Sequence, residues 1–388
     1  MNCFGKDCAT GSQVEISFGA SIESAAPAAA RCDRWLAPGF IDLQVNGFAG
    51  VDYNSPETAP EEIARSIDAL FATGVTRFYP TVITGSPELM QAALRNLACC
   101  REQLPGGAAM EGFHVEGPHI GAEDGPRGAH PRQWVRAPDV DEFQRWQEAA
   151  NGLVRMVTLA PEWPQATRYI ESIVALGVVA AIGHTAATAQ QISEAVNAGA
   201  RVSTHLGNGA HAVLRRHPNY IWDQLAEDRL MAGFIVDGVH LDASFLRVAL
   251  RAKGLERAVL VTDAATPAGA APGRYRLGEL ELELTPDNRV VLAGTGKLAG
   301  SALRMDRGVE NLMKIAGLPL ADAVRMATVN PARAGRIEGR EKGLAAGERA
   351  DLVEFRFEDG RVEVERTWIS GRVVFQRGDG ASSVSLTS

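Results

Sequence analysis

Glu116 closes an apolar run at residues 112–116 and is followed at once by Gly117-Pro118. Two later runs end in Gly183-His184-Thr185 and Thr204-His205. One carboxylate and two neutral imidazoles, with a position left open for water, make a donor set for a catalytic divalent ion. Zinc fits such a set, and iron, manganese or cobalt would accept the same ligands. A further run ends in Thr262-Asp263-Ala264. A divalent ion lowers the pKa of its water from near 16 to about 7, and an aspartate close by can take that proton and return it to a leaving group. Asp263 suits that work. Each residue also has a plainer reading: a strand-end histidine can be hydrogen-bonded structure, and Asp263 could be a helix cap. Their joint arrival at one place is what points to a metal-dependent hydrolase.

The elements that must deliver these residues are readable from the apolar pattern. Short β-rich runs span 40–46, 75–81, 112–116, 155–160, 178–184, 202–206, 232–237 and 259–263. Amphipathic helical patterns lie between several of them, at 61–72, 87–101, 188–197 and 243–252. Many runs are apolar without alternation, as expected of a parallel sheet buried on both faces. Strand–helix alternation repeated to eight predicts an α/β fold, a (β/α)8 TIM barrel. Barrel enzymes work at the C-terminal ends of their strands, and there this chain carries Gln44, Asn46, Glu116, His184, His205, Asp237 and Asp263.

At both ends of the chain the pattern changes. Residues 12–36 and 343–380 hold short alternating segments, with Gly360 and Gly371 as turn signals. They predict a small β-sandwich domain formed by both termini, with 1–37 and 343–388 flanking a catalytic barrel over 38–342. A β-rich stretch at 274–298, within an insert near 270–300, predicts a hairpin over the barrel mouth. The Ala-rich stretch at 25–30 reads as a loop.

Composition narrows the partners. A chain of 388 residues is too long for one ordinary core and suits a barrel with a small second domain. The net charge is −8 and no Lys/Arg-rich block occurs, which argues against nucleic acid and anionic membranes. No apolar run reaches the roughly 20 residues that cross a bilayer, and residues 1–11 lack the order of a signal peptide. Cys3, Cys8, Cys32, Cys99 and Cys100 are odd in number and without CxxC spacing. They read as free thiols in a reducing cytoplasm.

Several motifs fall in one order along the chain: Pro38-Gly39-Phe40-Ile41-Asp42, His114-Val115-Glu116-Gly117-Pro118, Gly128-Ala129-His130, Val157-Thr158-Leu159-Ala160-Pro161-Glu162 and Gly183-His184-Thr185. They continue with Thr204-His205-Leu206, Asp237-Gly238-Val239-His240, Val261-Thr262-Asp263-Ala264, Leu298-Ala299-Gly300-Ser301 and Met326-Ala327-Thr328. In these the chain resembles the N-acetylglucosamine-6-phosphate deacetylase family of the amidohydrolase superfamily. The resemblance implies removal of acetate from an N-acetylated amino sugar, N-acetylglucosamine 6-phosphate above all. It implies Glu116, His184 and His205 as ligands of one divalent metal ion per chain and Asp263 as acid and base. His130 would polarise the acetyl carbonyl. Ala129, Asn208, Gly209, His240, Leu298, Ala299 and Gly300 would line the sugar. Arg216 would bind phosphate from a partner subunit, which implies a homodimer. The alternative substrates are another N-acetyl sugar or an N-acyl amino acid, and a non-catalytic binding barrel is the alternative class.

Three departures from the family pattern bear on that expectation. Many amidohydrolases end strand one in His-x-His and bind a second metal; here Gln44 and Asn46 stand in those places, and amides are poor ligands beside imidazole. His119 stands where the family has a bulky apolar residue, and reads as a solvated loop residue or else as an additional ligand or substrate contact. The stretch from Gly207 to Asn219 also departs. Arg216 remains, beside Arg215 and His217. Paired arginines suit phosphate, could serve a carboxylate, or could sit solvated on a loop.

Overall fold

The computed structural model describes residues 1–378, so residues 379–388 of the C-terminal segment assigned above lie outside the described residues. Eight strands form one sheet in sequence order: Phe40–Val45, Val75–Ile83, Phe113–Glu116, Val154–Leu159, Val179–Ile182, Val202–Ser203, Met231–Ile235 and Ala258–Val261. Every neighbouring pair is parallel. The sheet curls until its first and last strands meet, where Val45 bridges Ala264 in parallel. Asp42 stitches this seam from the side, accepting Thr262 N at 3.2 Å and Thr262 Oγ1 at 2.5 Å.

The apolar runs divide as a barrel requires. Ile41, Leu43, Met156, Val179, Ala181, Val259 and Val261 pack together in the interior. Phe40, Phe78, Val157 and Phe234 belong to the larger core under the helices. Helices begin where their capping residues predict. Ser86 accepts Leu89 N ahead of Pro87–Gln103, Thr188 forms a capping box with Gln191 ahead of Ala189–Asn197, and Asp242 caps Ala243–Lys253.

Strands five and six end sooner than the apolar pattern predicts. The backbone leaves the extended region at His184 (φ 51°) and His205 (φ 28°), and it does so again at Asp263 (φ 49°). Left-handed backbone is disfavoured for residues with a Cβ and tends to collect at functional sites.

Both termini build the second domain. Strands Asn2–Asp7, Gln13–Phe18, Ile22–Pro27 and Trp35–Pro38 join Leu352–Glu358, Arg361–Ile369 and Arg372–Gln376 in one continuous seven-stranded sheet. The stretch at 25–30 needs a correction: Ala25 and Ala26 pair with Ile16 and Glu15 in an edge strand and are not loop. After Ile22 the residues of that edge strand are exposed. The insert is a three-stranded antiparallel meander, Gly273–Leu277, Leu280–Leu284 and Val290–Leu292, one strand more than a hairpin. No helix among the described residues is long and apolar enough to cross a membrane.

Candidate metal-dependent active site

Strands three, five and six bring Glu116, His184 and His205 to one point, all nearly buried. His205 Nε2 lies 2.8 Å from Glu116 Oε1 and 3.1 Å from His184 Nε2, and His184 Nε2 lies 3.3 Å from the same Glu116 oxygen. His184 Nδ1 sits 2.7 Å from the Pro126 carbonyl, which can only accept. The ring therefore carries its proton on Nδ1 and turns the Nε2 lone pair inward. Three such donor atoms this close repel unless a proton or cation lies among them. Tetrahedral zinc, with bonds of about 2.0–2.1 Å, sets its ligand atoms about 3.3 Å apart, so the set fits a divalent ion.

A looser group, Glu116, His130 and His184, also has ligand atoms within 4.8 Å of one another. His130 differs in being engaged elsewhere: its Nδ1 lies 2.8 Å from Thr84 Oγ1. The group built on His205 is the tighter of the two. Glycines make room for it, since a Cβ on Gly209 would come within 2.6 Å of His184 Nδ1.

Strand one supplies amides. Gln44 Nε2 donates to Glu116 Oε1 at 2.9 Å and to Asp263 Oδ1 at 3.1 Å. Asn46 Nδ2 donates to Asp263 Oδ1 at 2.7 Å. The two carboxylates are thus tied through neutral donors. Burial pushes the Asp263 carboxyl up to about 6, and the charge of Glu116 adds to this, against His205 and the Asn46 hydrogen bond. Burial opposes the charge on Glu116 too, but the adjoining His184 and His205 rings prevail and hold it well below the usual range. Burial, then the neighbouring His184, pushes His130 down to about 3, so its ring is neutral.

Around this point lies a cavity of about 150 Å³. It is lined by Glu116, His184, His205, Asp263, His130, Ala129, Asn208, Gly209, His240, Leu298, Ala299 and Gly300, every one of them expected, and also by Asn46, Ile83, Gly128, Leu277 and Leu280. His240 is oriented by Asp237, whose Oδ2 lies 2.6 Å from Nδ1. A wider groove of about 650 Å³ runs between the insert and the start of the first barrel helix. No histidine lines it, and it carries no converging donor set.

Arg216 is not among the residues lining the cavity; it is exposed on the loop before Asn219. His119 requires a correction. It is fully buried, not solvated, with its ring 5.3 Å from Trp146 and 5.1 Å from Tyr169. It fills the apolar slot that the family pattern assigns to a bulky side chain, and it does not line the cavity. Thr84 and the insert leucines Leu277 and Leu280 escape the sequence reading. Thr84 directly follows strand two, so the strand-end rule could have found it; the leucines carry no chemical signal.

A barrel with this mouth defines a class, and the model of the amidohydrolase family matches residues 35–374. The chain belongs to that family, which is metal-dependent. Within it the chain groups with the N-acetylglucosamine-6-phosphate deacetylases. The deacetylase of that name from Bos taurus is 38% identical over 352 residues, 88% of this chain and 83% of that protein. The one from Bacillus subtilis is 33% identical over 86% of this chain and 82% of that protein. Among solved structures, the Mycobacterium smegmatis enzyme in complex with N-acetyl-D-glucosamine-6-phosphate superposes with a TM-score of 0.84 at 34% identity, covering 93% of this chain and 94% of that one. The Thermotoga maritima enzyme gives 0.85 at 26% identity, covering 97% and 100%.

Proposed function

We propose that this chain hydrolyses N-acetylglucosamine 6-phosphate to glucosamine 6-phosphate and acetate. The observation that carries the reading is the meeting of Glu116, His184 and His205 with Asp263 and His130 in one cavity, in a chain whose relatives bear that name. We assign Glu116, His184 and His205 as ligands of one divalent ion per chain, zinc being the choice that best suits the donor set. When bound, such an ion supplies Lewis-acid polarisation and a more acidic water.

The chain's own residues do the rest. Asp263, with its carboxyl raised to about 6, is poised to take a proton from the attacking water and give one to the leaving nitrogen. We assign His130, neutral at working pH, the tautomer in which Thr84 Oγ1, 2.8 Å from Nδ1, donates its hydrogen bond there, so that Nε2–H faces the developing oxyanion. Gln44 and Asn46 fill with amide donors the place where a second metal would need imidazoles. Ala129, Asn208, Gly209, His240, Leu298, Ala299 and Gly300 contact the sugar. We assign Arg216 to the phosphate of a partner subunit's substrate in a homodimer. In support, its loop is exposed and carries Val213 at 88% exposure, and it is absent from the lining of its own chain's cavity.

Five free cysteines favour a cytoplasmic setting. We divide the chain into 1–37, a barrel over 38–342 and 343–388. An acetate-release screen across N-acetyl sugars, on protein of known metal content, tests the reading. Release from the 6-phosphate at the highest kcat/KM is expected, and no release from any N-acetyl sugar refutes it.

A further inference from the structure

Asn46 ends the first barrel strand's polar tip, is 2% exposed and lines the cavity. Its Nδ2 donates to Asp263 Oδ1 at 2.7 Å and to the Ala264 carbonyl at 3.3 Å. A carbonyl can only accept, so the chemistry of that contact fixes the amide's orientation. That leaves Asn46 Oδ1, buried and with no hydrogen-bond partner among the described residues. Burying an acceptor unpaired is costly, and this one belongs to an amide whose other end grips the proton-transfer carboxylate. None of the roles assigned above uses it.

We infer that Asn46 Oδ1 accepts the N–H of the scissile acetamide, and that this contact selects amides over the corresponding esters. The inference rests on the deacetylase reading. An amide offers a donor on the atom beside its carbonyl. An ester offers lone pairs there, which the Asn46 oxygen repels, and a site built for a donor rejects the analogue without one.

The same contact sets where the proton goes. As water adds to the carbonyl, the nitrogen pyramidalises and gains a lone pair. With its own hydrogen held on Asn46 Oδ1, the nitrogen turns that lone pair toward Asp263, the carboxyl that Asn46 Nδ2 holds. The nitrogen keeps its hydrogen, takes one proton from Asp263 and departs as a primary amine as the C–N bond breaks. Asp263 had received that proton from the water, whose oxygen leaves in acetic acid.

The test compares N-acetylglucosamine 6-phosphate with 2-O-acetylglucose 6-phosphate, in which oxygen replaces N–H. Wild type, Asn46→Ala and Asn46→Ser are assayed with matched metal content and melting behaviour. On the acetamide both variants should lose roughly ten- to a hundredfold in kcat/KM. On the ester the loss should be at least about tenfold smaller than on the acetamide, confined to the weakened hold on Asp263, because no donor is there to be orphaned. Equal losses on both substrates would mean that Asn46 only positions Asp263, and would overturn the inference, as would full activity of the variants on the acetamide.

Should neither variant fold, wild type is assayed on the N-methylated acetamide, which lacks the donor. At least about a tenfold fall in kcat/KM is expected, and undiminished turnover overturns the inference. Wild type that releases no acetate from the acetamide itself would refute the deacetylase reading, and this inference with it. The other outcomes leave that reading intact.

Discussion

The barrel buries charge at both of its ends, and the two ends treat it in opposite ways. At the N-terminal end Asp351 sits between Arg77 and Arg340, at 2.8 and 2.7 Å, and also accepts Ser370 N at 2.7 Å. Arg340 continues to the Gly39 carbonyl at 2.5 Å, Arg77 to the Ala108 carbonyl at 2.5 Å, and Arg349 pairs with Glu111 at 2.8 Å. This network joins the barrel's first two strands to the terminal β domain. Each charge in it meets an opposite charge or a carbonyl. Burial alone would raise the Asp351 carboxyl, but Arg340 and Arg77 bring it down to about 2.

At the C-terminal end two carboxylates share one amide donor, two imidazoles converge on one of them, and Asn46 Oδ1 and His205 Nδ1 find no partner among the described residues. Satisfied charge fixes the two domains together. Frustrated charge is what leaves room for a cation, a substrate and a moving proton. This matches the general division of a barrel into a face that stabilises and a face that reacts.

The comparison breaks if the N-terminal cluster proves dispensable. Asp351→Ala strands two buried guanidinium groups, so a loss of about 3–5 kcal/mol is expected, read as a lower midpoint in urea, with normal kcat for the protein that remains folded. At the other end the signs reverse. Asp263→Asn removes a carboxylate that Glu116 repels, so the melting temperature should hold or rise. Turnover should fall at least about a hundredfold, the scale of general acid–base catalysis. A stable Asp351→Ala protein, or an unstable Asp263→Asn protein, would erase the distinction.

Acid titration of chelator-treated protein sharpens it. The folded pKa of Asp351, about 2, lies below its ordinary value of 3.8. The stability it contributes is therefore complete above about pH 4 and is lost as pH falls through 2, an effect of about 2 kcal/mol. The folded pKa of Asp263, about 6, lies above its ordinary value, with burial the first cause. Stability from keeping it protonated is complete below about pH 4 and fades as pH rises through 6. Asp351→Asn should thus flatten the acid limb of the stability curve, and Asp263→Asn the stretch between pH 4 and 6. Curves measured by denaturant titration at each pH, with both limbs unchanged by the substitutions, would contradict these assignments.

How far the sequence reaches also differs between the two ends. The strands and the polar residues at their C-terminal ends can be read directly, because period and residue type carry the signal and each strand end advertises one side chain. Glu116, His184, His205 and Asp263 are visible in that way. The N-terminal network is not. Arg77 lies 274 residues before Asp351, and nothing local separates a buried arginine from a solvated one until the termini pair into a sheet. His119 misleads for the same reason: its polarity suggests exposure, while the slot beside Trp146 and Tyr169 that accepts its ring is made by other segments. Left-handed backbone at His184, His205 and Asp263 shortens strands that apolar runs alone extend too far.

Arg216 lies on the loop after strand six, outside the cavity at the C-terminal end, and it is the smallest expected effect. It is exposed, outside the lining of its own chain's cavity, and its assigned work depends on a second copy of the chain. A charge-assisted contact to phosphate is worth about 1.5–3 kcal/mol, so Arg216→Ala should weaken binding roughly ten- to a hundredfold. The loss should fall on KM if phosphate is held equally in the ground and transition states. It should vanish on unphosphorylated N-acetylglucosamine, which has no anion to lose. Wild type and Arg216→Ala, each assayed on both sugars, close a cycle that isolates the contact. The oligomeric state of both proteins, measured by sedimentation, separates a lost phosphate contact from a lost dimer. Impairment that is equal on the two sugars, or absent from both, would remove Arg216 from phosphate binding. The divergent loop from Gly207 to Asn219 would then point to a different substituent on the sugar, with the metal ligands and Asp263 untouched by the result.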